Sequence, residues 1–146
     1  MFRGNAPARI DDKGRLKVPN AFRSLLESQH GRELFLTSLT GEYVRIYPMP
    51  VWLDIEQKLG AMPSTHPSRL RYLDRVNYFG QIGELDAQGR VLIPLRLREA
   101  ATMSGEVDVI GQFDCLDIWN HDRFLTKLQR ELYTDDDARA LSEFGI

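Results

Sequence analysis

Four cations, Arg9, Lys13, Arg15 and Lys17, crowd around one glycine, Gly14, with Asp11 among them. Alternate residues of a strand share a face, so charges at this spacing form one positive surface around a turn. That surface suits neutralisation of an anion, and the planar fork of an arginine matches a phosphate. Catalysis needs converging groups that the sequence does not supply. His30, His66 and His121 have no companions at metal or triad spacing and are expected on the surface or as helix caps. "GNAPARIDDKG" and "GELDAQGR" lack the Gly-Lys-Ser/Thr of a phosphate loop and do not precede a long helix. The acids Asp135, Asp136 and Asp137 invite a metal, yet with Thr134 before them they read as the capped first turn of a helix. Cys115 is the only cysteine, which excludes a disulfide framework and a cysteine zinc site; it is expected as a small buried strand residue. The expectation is a protein that is not an enzyme, with no cofactor, metal or small-molecule substrate.

The charged phrase occurs twice. "DDKGRLKVP" (11–19) returns 75 residues later as "DAQGRVLIP" (86–94). Asp11, Gly14, Arg15, Pro19 and Arg23 match Asp86, Gly89, Arg90, Pro94 and Arg98. Ile10, Leu16, Val18 and Phe22 become Leu85, Val91, Ile93 and Leu97. If residues 12–14 form a three-residue hairpin loop, Gly14 takes the left-handed position and Asp11 faces Arg15 across the strands; Gly89 does the same for Asp86 and Arg90. Ile10, Leu16 and Val18 then point to the core, and Arg9, Asp11, Arg15 and Lys17 point outward.

The elements that position these turns follow from periodicity. Each unit reads as strand, turn, strand, short helix near 20–28 or 95–102, two strands and a helix. In the closing helices Trp52, Ile55 and Leu59 share a face, as do Phe124, Leu125, Leu128 and Leu132 behind an Asn120 cap. "SRLRYLDRVNYFG" predicts a connecting helix with Pro67 in its first turn and Gly80 as its stop. Trp52 and Trp119 are expected in the core. A unit of about 45 residues buries too little to stand alone, so the two are expected to intertwine into one barrel or layered core. The fold class is α+β, rich in strand.

Of the 146 residues, 42% are hydrophobic, which is ordinary for a globular chain. The net charge of −2 hides a gradient: residues 1–50 carry +3, residues 51–80 carry +1 and residues 81–146 carry −6. A basic first unit hints at an anionic partner. The start has no apolar signal-type run and no segment is long enough to span a membrane, so a cytoplasmic protein without a membrane partner is expected.

Two tandem Asp-x-x-Gly-Arg hairpin phrases, an "MFRG" start, "YPMPVW" after the first unit and "GQF" followed by "IW" in the second resemble the bacterial MraZ family. Its units are of the SpoVT-AbrB swapped-hairpin type. The resemblance implies a first repeat at 5–51, a helical connector at 52–80, a second repeat at 81–124 and a C-terminal helical tail at 125–146. It also implies a sequence-specific regulator of transcription that binds double-stranded DNA, associates with the nucleoid and assembles with itself into a closed ring. The sites would be repeats upstream of the cell-division and cell-wall gene cluster. On this chain the DNA-binding candidates are Arg15, Lys13, Lys17, Arg3, Arg9 and Arg90, oriented by Asp11 and Asp86 on turns at Gly14 and Gly89. A two-stranded ribbon fits the major groove, where Arg15 can read a guanine edge while Lys13 or Lys17 holds phosphate. The second hairpin carries Glu84, Gln88 and Leu92 where the first is basic, so the first is the stronger candidate.

Other outcomes stay open on the residues alone. Asp11–Arg15 and Asp86–Arg90 are also readable as simple ion pairs across a hairpin, the more so for Arg90, whose neighbours are not basic. An antitoxin-like module of the same fold would capture another protein with its acidic C-terminal unit, and a purely structural ring would bind no DNA.

Overall fold

A computed structural model describes residues 1–146. The first unit comprises β1 (Asn5–Ile10), β2 (Arg15–Lys17), α1 (Asn20–Leu25), β3 (Glu33–Thr37), β4 (Val44–Pro48) and α2 (Met49–Gly60). Helix α3 (Pro67–Tyr78) leads to β5 (Gln81–Glu84), β6 (Arg90–Leu92), α4 (Leu95–Ala100), β7 (Gly105–Gly111), β8 (Leu116–Asn120) and α5 (His121–Arg130), and α6 (Asp135–Ser142) follows. All eight strands form one antiparallel sheet in the order β5-β3-β4-β8-β7-β1-β2-β6. Its two outermost strands belong to a single hairpin, where the Asp86 N–H donates to the Arg90 carbonyl, so the sheet curls into a nearly closed barrel.

The units exchange their leading strands. β1 pairs with β7 from Asn5↔Ile110 to Ile10↔Gly105, and β5 returns the arrangement by pairing with β3 from Glu33↔Glu84 to Leu36↔Gln81. At one end of the barrel β2 lies against β6 with Leu16 opposite Val91; at the other, β4 lies against β8 with Arg45 opposite Asp117. A pseudo-twofold axis passes through both pairs. Alternation within the short strands sends Leu16, Val18, Val91 and Ile93 into a shared interior with Phe22, Leu97, Val107 and Ile118, all buried. Each fully buried aliphatic side chain contributes about 1.5–3 kcal/mol, and neither unit could bury this set alone.

The helices sit outside. Pro67 occupies the first turn of α3, and His66 caps it by accepting the Ser68 N–H on Nδ1. Phe35, Tyr47, Trp52 and Val76 fill a second apolar layer between the sheet and helices α2 and α3. Gly80 follows α3 as expected but for a different reason. Its φ is not left-handed; a Cβ there would run into the Val76 carbonyl and the Phe35 ring. The apolar stripe of α5 also departs from expectation. Phe124 is half-buried beside Trp119, whereas Leu125, Leu128 and Leu132 are exposed, because the side of α5 that meets Trp119 carries Phe124 and Lys127.

Both hairpin turns are left-handed at their glycines, φ +83° at Gly14 and +77° at Gly89, and both glycines are buried. Each turn rests on the opposite unit: the Val18 N–H donates to the Gly89 carbonyl and the Ile93 N–H to the Gly14 carbonyl, both at 2.9 Å. A Cβ on Gly89 would come within 2.7 Å of Arg23 Cδ in addition to its unfavourable φ. Gly89→Ala is therefore expected to destabilise the chain by about 2 kcal/mol, with left-handed strain contributing about 1–2 kcal/mol of it. Urea unfolding of the two chains measures the difference.

Candidate functional site

The β2–β6 ribbon presents an outward face built by its register. Leu16 and Val91 point inward together, so the flanking pairs, Arg15 with Leu92 and Lys17 with Arg90, face solvent. Lys13 stands exposed at the tip of the first turn and Gln88 at the tip of the second.

Each tip is built around its aspartate. Asp11 Oδ1 accepts the backbone N–H groups of Lys13 and Arg15, both at 2.9 Å, and Oδ2 accepts Arg15 Nε at 2.8 Å. Asp86 repeats the pattern with the N–H groups of Gln88 and Arg90 at 2.9 Å and Arg90 Nε at 3.0 Å. The Arg15 N–H, then the Arg15 side chain and the Lys13 N–H, hold the Asp11 carboxyl below its ordinary value; Arg90 and Gln88 do the same for Asp86. Only Nε of each guanidinium is engaged. Both terminal amino groups of Arg15 remain free as a donor fork, so pairing with Asp11 orients the arginine without occupying them.

Two arginines that the repeat matched, and that were not candidates, complete the site. Arg23 lies under the turn of Gly89, where Nη2 donates to the Ala87 carbonyl at 2.9 Å and Nε pairs with Glu27 at 2.5 Å. Arg98 lies under the turn of Gly14, so close that a Cβ on that glycine would overlap the guanidinium. Each unit thus supports the other's fingertip. The signal was their identity across the repeat, since a merely solvated arginine has no reason to recur.

The remaining candidates do not all gather here. Arg9 projects beside the ribbon on β1, but Glu106 faces it from β7. Arg3 precedes β1, and six strand residues at about 3.3 Å each put it roughly 20 Å from the first fingertip. It belongs to the opposite end of the barrel, near Gly111, because Phe2 is bridged to Phe113 there. His121 is not isolated: its Nδ1 meets Asp108 Oδ2 at 2.7 Å, and that carboxylate raises the imidazole's pKa. His30 packs on the Phe2 ring. Thr134 and Asp137 form a reciprocal capping box at the start of α6. Cys115 is buried, and burial pushes its thiol up to about 12. No three His, Cys, Asp or Glu side chains converge as a metal site would require, and no helix is long and apolar enough to cross a membrane. At the far end of the pseudo-axis, Arg45 makes a two-point pair with Asp117, 2.8 and 3.0 Å, under the rings of Tyr43 and Tyr47. Asp117 is buried, and this pair pins β4 to β8.

Comparison with known proteins places these features in context. The family model described as "MraZ protein, putative antitoxin-like" matches residues 1–75 and again 81–144. A protein of Acidobacterium capsulatum named "Transcriptional regulator MraZ" is 46% identical over 146 residues, covering all of both chains. Its namesakes in Koribacter versatilis and Nitrosospira multiformis are 46% and 34% identical, also over the full length of both.

The aspartate geometry has a pH signature. Because the folded-state values of Asp11 and Asp86 lie below the ordinary 3.8, their support of the turns is complete above that value and is lost as pH falls through the lower one. Carboxyl NMR titration is expected to give both groups midpoints under 3.8. Asp11→Asn is expected to broaden the Arg15 Nε–H signal at neutral pH while leaving that of Arg90 sharp.

Proposed function

This chain belongs to the MraZ family, and from that premise we propose that it regulates transcription by binding double-stranded DNA through the β2–β6 ribbon. The observation that carries this reading is the Asp11-oriented Arg15 fork standing between Lys13 and Lys17 on an exposed two-stranded ribbon. A ribbon of this width enters the major groove, where a free guanidinium fork pairs with guanine O6 and N7 and flanking lysines neutralise phosphates. The function is binding, and its affinity is set by charge.

One subunit brings few cations, and non-specific contacts of that size give dissociation constants of about 10⁻⁴ to 10⁻⁶ M at physiological salt. Assembly of several copies in a closed ring raises the apparent affinity by about 10²–10⁴ on repeated sites without new contacts. Exposed Leu125, Leu128 and Leu132 on and after α5 support association between copies, since such a stripe is costly to leave in water. The target sites are repeats upstream of the cell-division and cell-wall gene cluster, which fits a cytoplasmic, nucleoid-associated regulator.

A mobility-shift titration on the DNA upstream of the chain's own gene tests the proposal across salt concentrations. Binding is expected to weaken steeply with salt. Lys17→Ala is expected to reduce the slope of log K against log salt by about one, and Arg15→Ala to abolish preference over a scrambled duplex. Wild-type retention by a chain lacking Lys13, Arg15 and Lys17 together refutes it.

A further inference from the structure

The arginines beneath the two turns recur at the same place, yet only one is neutralised. Arg23, under the second fingertip, is held by Glu27 and the Ala87 carbonyl. Arg98, under the first, makes no hydrogen bond or ion pair, and its Nε is buried without a partner. Buried polar groups are nearly always satisfied, so an unmatched guanidinium at an exposed tip calls for an explanation.

Local backbone accounts for the difference. After α1 the chain adds a π-helical turn at Leu26–His30, ending in left-handed Gly31, and that extra turn carries Glu27 back to Arg23. After α4 the chain stops short: the Met103 N–H bonds to the Arg98 carbonyl and Thr102 turns left-handed at φ +53°. The residue four beyond Arg98 is thus Thr102, whose hydroxyl accepts from Arg123. No acid reaches Arg98.

We infer that Arg98, reaching across from the second unit, belongs to the DNA-contacting charge of the first fingertip, and that the second fingertip, neutralised by Glu27, does not engage phosphate. The inference rests on the DNA-binding reading above. Lys13, Arg15 and Arg98 gather at the first tip against Asp11 and Asp12, while Lys17 lies farther along the ribbon, across from Arg90. At the second tip the turn's own charges are matched, Arg90 by Asp86 and Arg23 by Glu27, and Gln88 stands in place of Lys13. Near a protein surface, where the effective dielectric is about 20 rather than 80, an uncompensated charge acts on an approaching phosphate more strongly than a solvated one. Arg98 also lies directly against the Gly14 turn, which puts its charge where the duplex arrives.

The test is fluorescence anisotropy of the upstream duplex, from about 50 to 200 mM salt, on the intact protein and its Arg98→Gln, Arg98→Lys and Glu27→Gln variants. Arg98→Gln is expected to bind about tenfold more weakly and to lower the salt slope by about one, and Arg98→Lys to restore the slope. Glu27→Gln, which changes a half-exposed side chain and frees Arg23, is expected to tighten binding and steepen the slope. A wild-type slope in Arg98→Gln, whatever its thermal stability, overturns the inference, as does unchanged binding in Glu27→Gln. If Arg15→Ala and Lys17→Ala still weaken binding in that case, the DNA reading stands and only the role of Arg98 falls. If those two also bind like wild type, the DNA reading itself is wrong.

Discussion

The reciprocal docking of each hairpin turn on the opposite unit is the constraint from which the rest of the architecture follows. Val18 donates to Gly89 and Ile93 to Gly14, and these crossed bonds are possible only because the glycines combine a left-handed φ with the absence of a side chain. Once the turns are crossed, β2 and β6 must lie side by side with Leu16 against Val91. The interior is then a joint product of both units, and the outward face is defined at the same stroke. Core and surface are two sides of one register, since a slip of a single residue would bury Arg15 and expose Leu16.

The same constraint explains how an acid-rich chain keeps a cationic tip. The two aspartates spend their charge on backbone N–H groups and on Nε, so each orders a turn and points an arginine without blocking its amino groups. Rigidity at the tip lowers the ordering cost of contact. The Arg45–Asp117 pair closes the other end of the axis by a different route, a buried two-point contact among aromatic rings.

Much of this was legible in the residues and some was not, for physical reasons. The hairpins were readable because their determinants are local: alternation, a glycine at the left-handed position and an aspartate four residues before an arginine. The caps at Asn120 and Thr134 were readable for the same reason. Contacts between distant segments were hidden. Asp108 and His121 meet only because α5 folds back on β7, and Arg45 meets Asp117 across 72 residues. Periodicity predicted the apolar stripe of α5 but could not say what covers it, since a hydrophobic face is the same whether it meets the chain's own barrel or another molecule. Arg3 precedes β1 and therefore lies at the end of that strand away from the Gly14 turn.

Joining the two halves through α2 and α3 also frees them from symmetry. In a pair of identical chains every substitution appears twice about the axis, so a change that improves one finger is imposed on its twin. Here Lys17 faces outward where the twin position is Leu92, and Glu27 has no acidic counterpart at Thr102. The covalent tether lets one half specialise while the other keeps the scaffold intact, which no symmetric dimer of a single repeat can do.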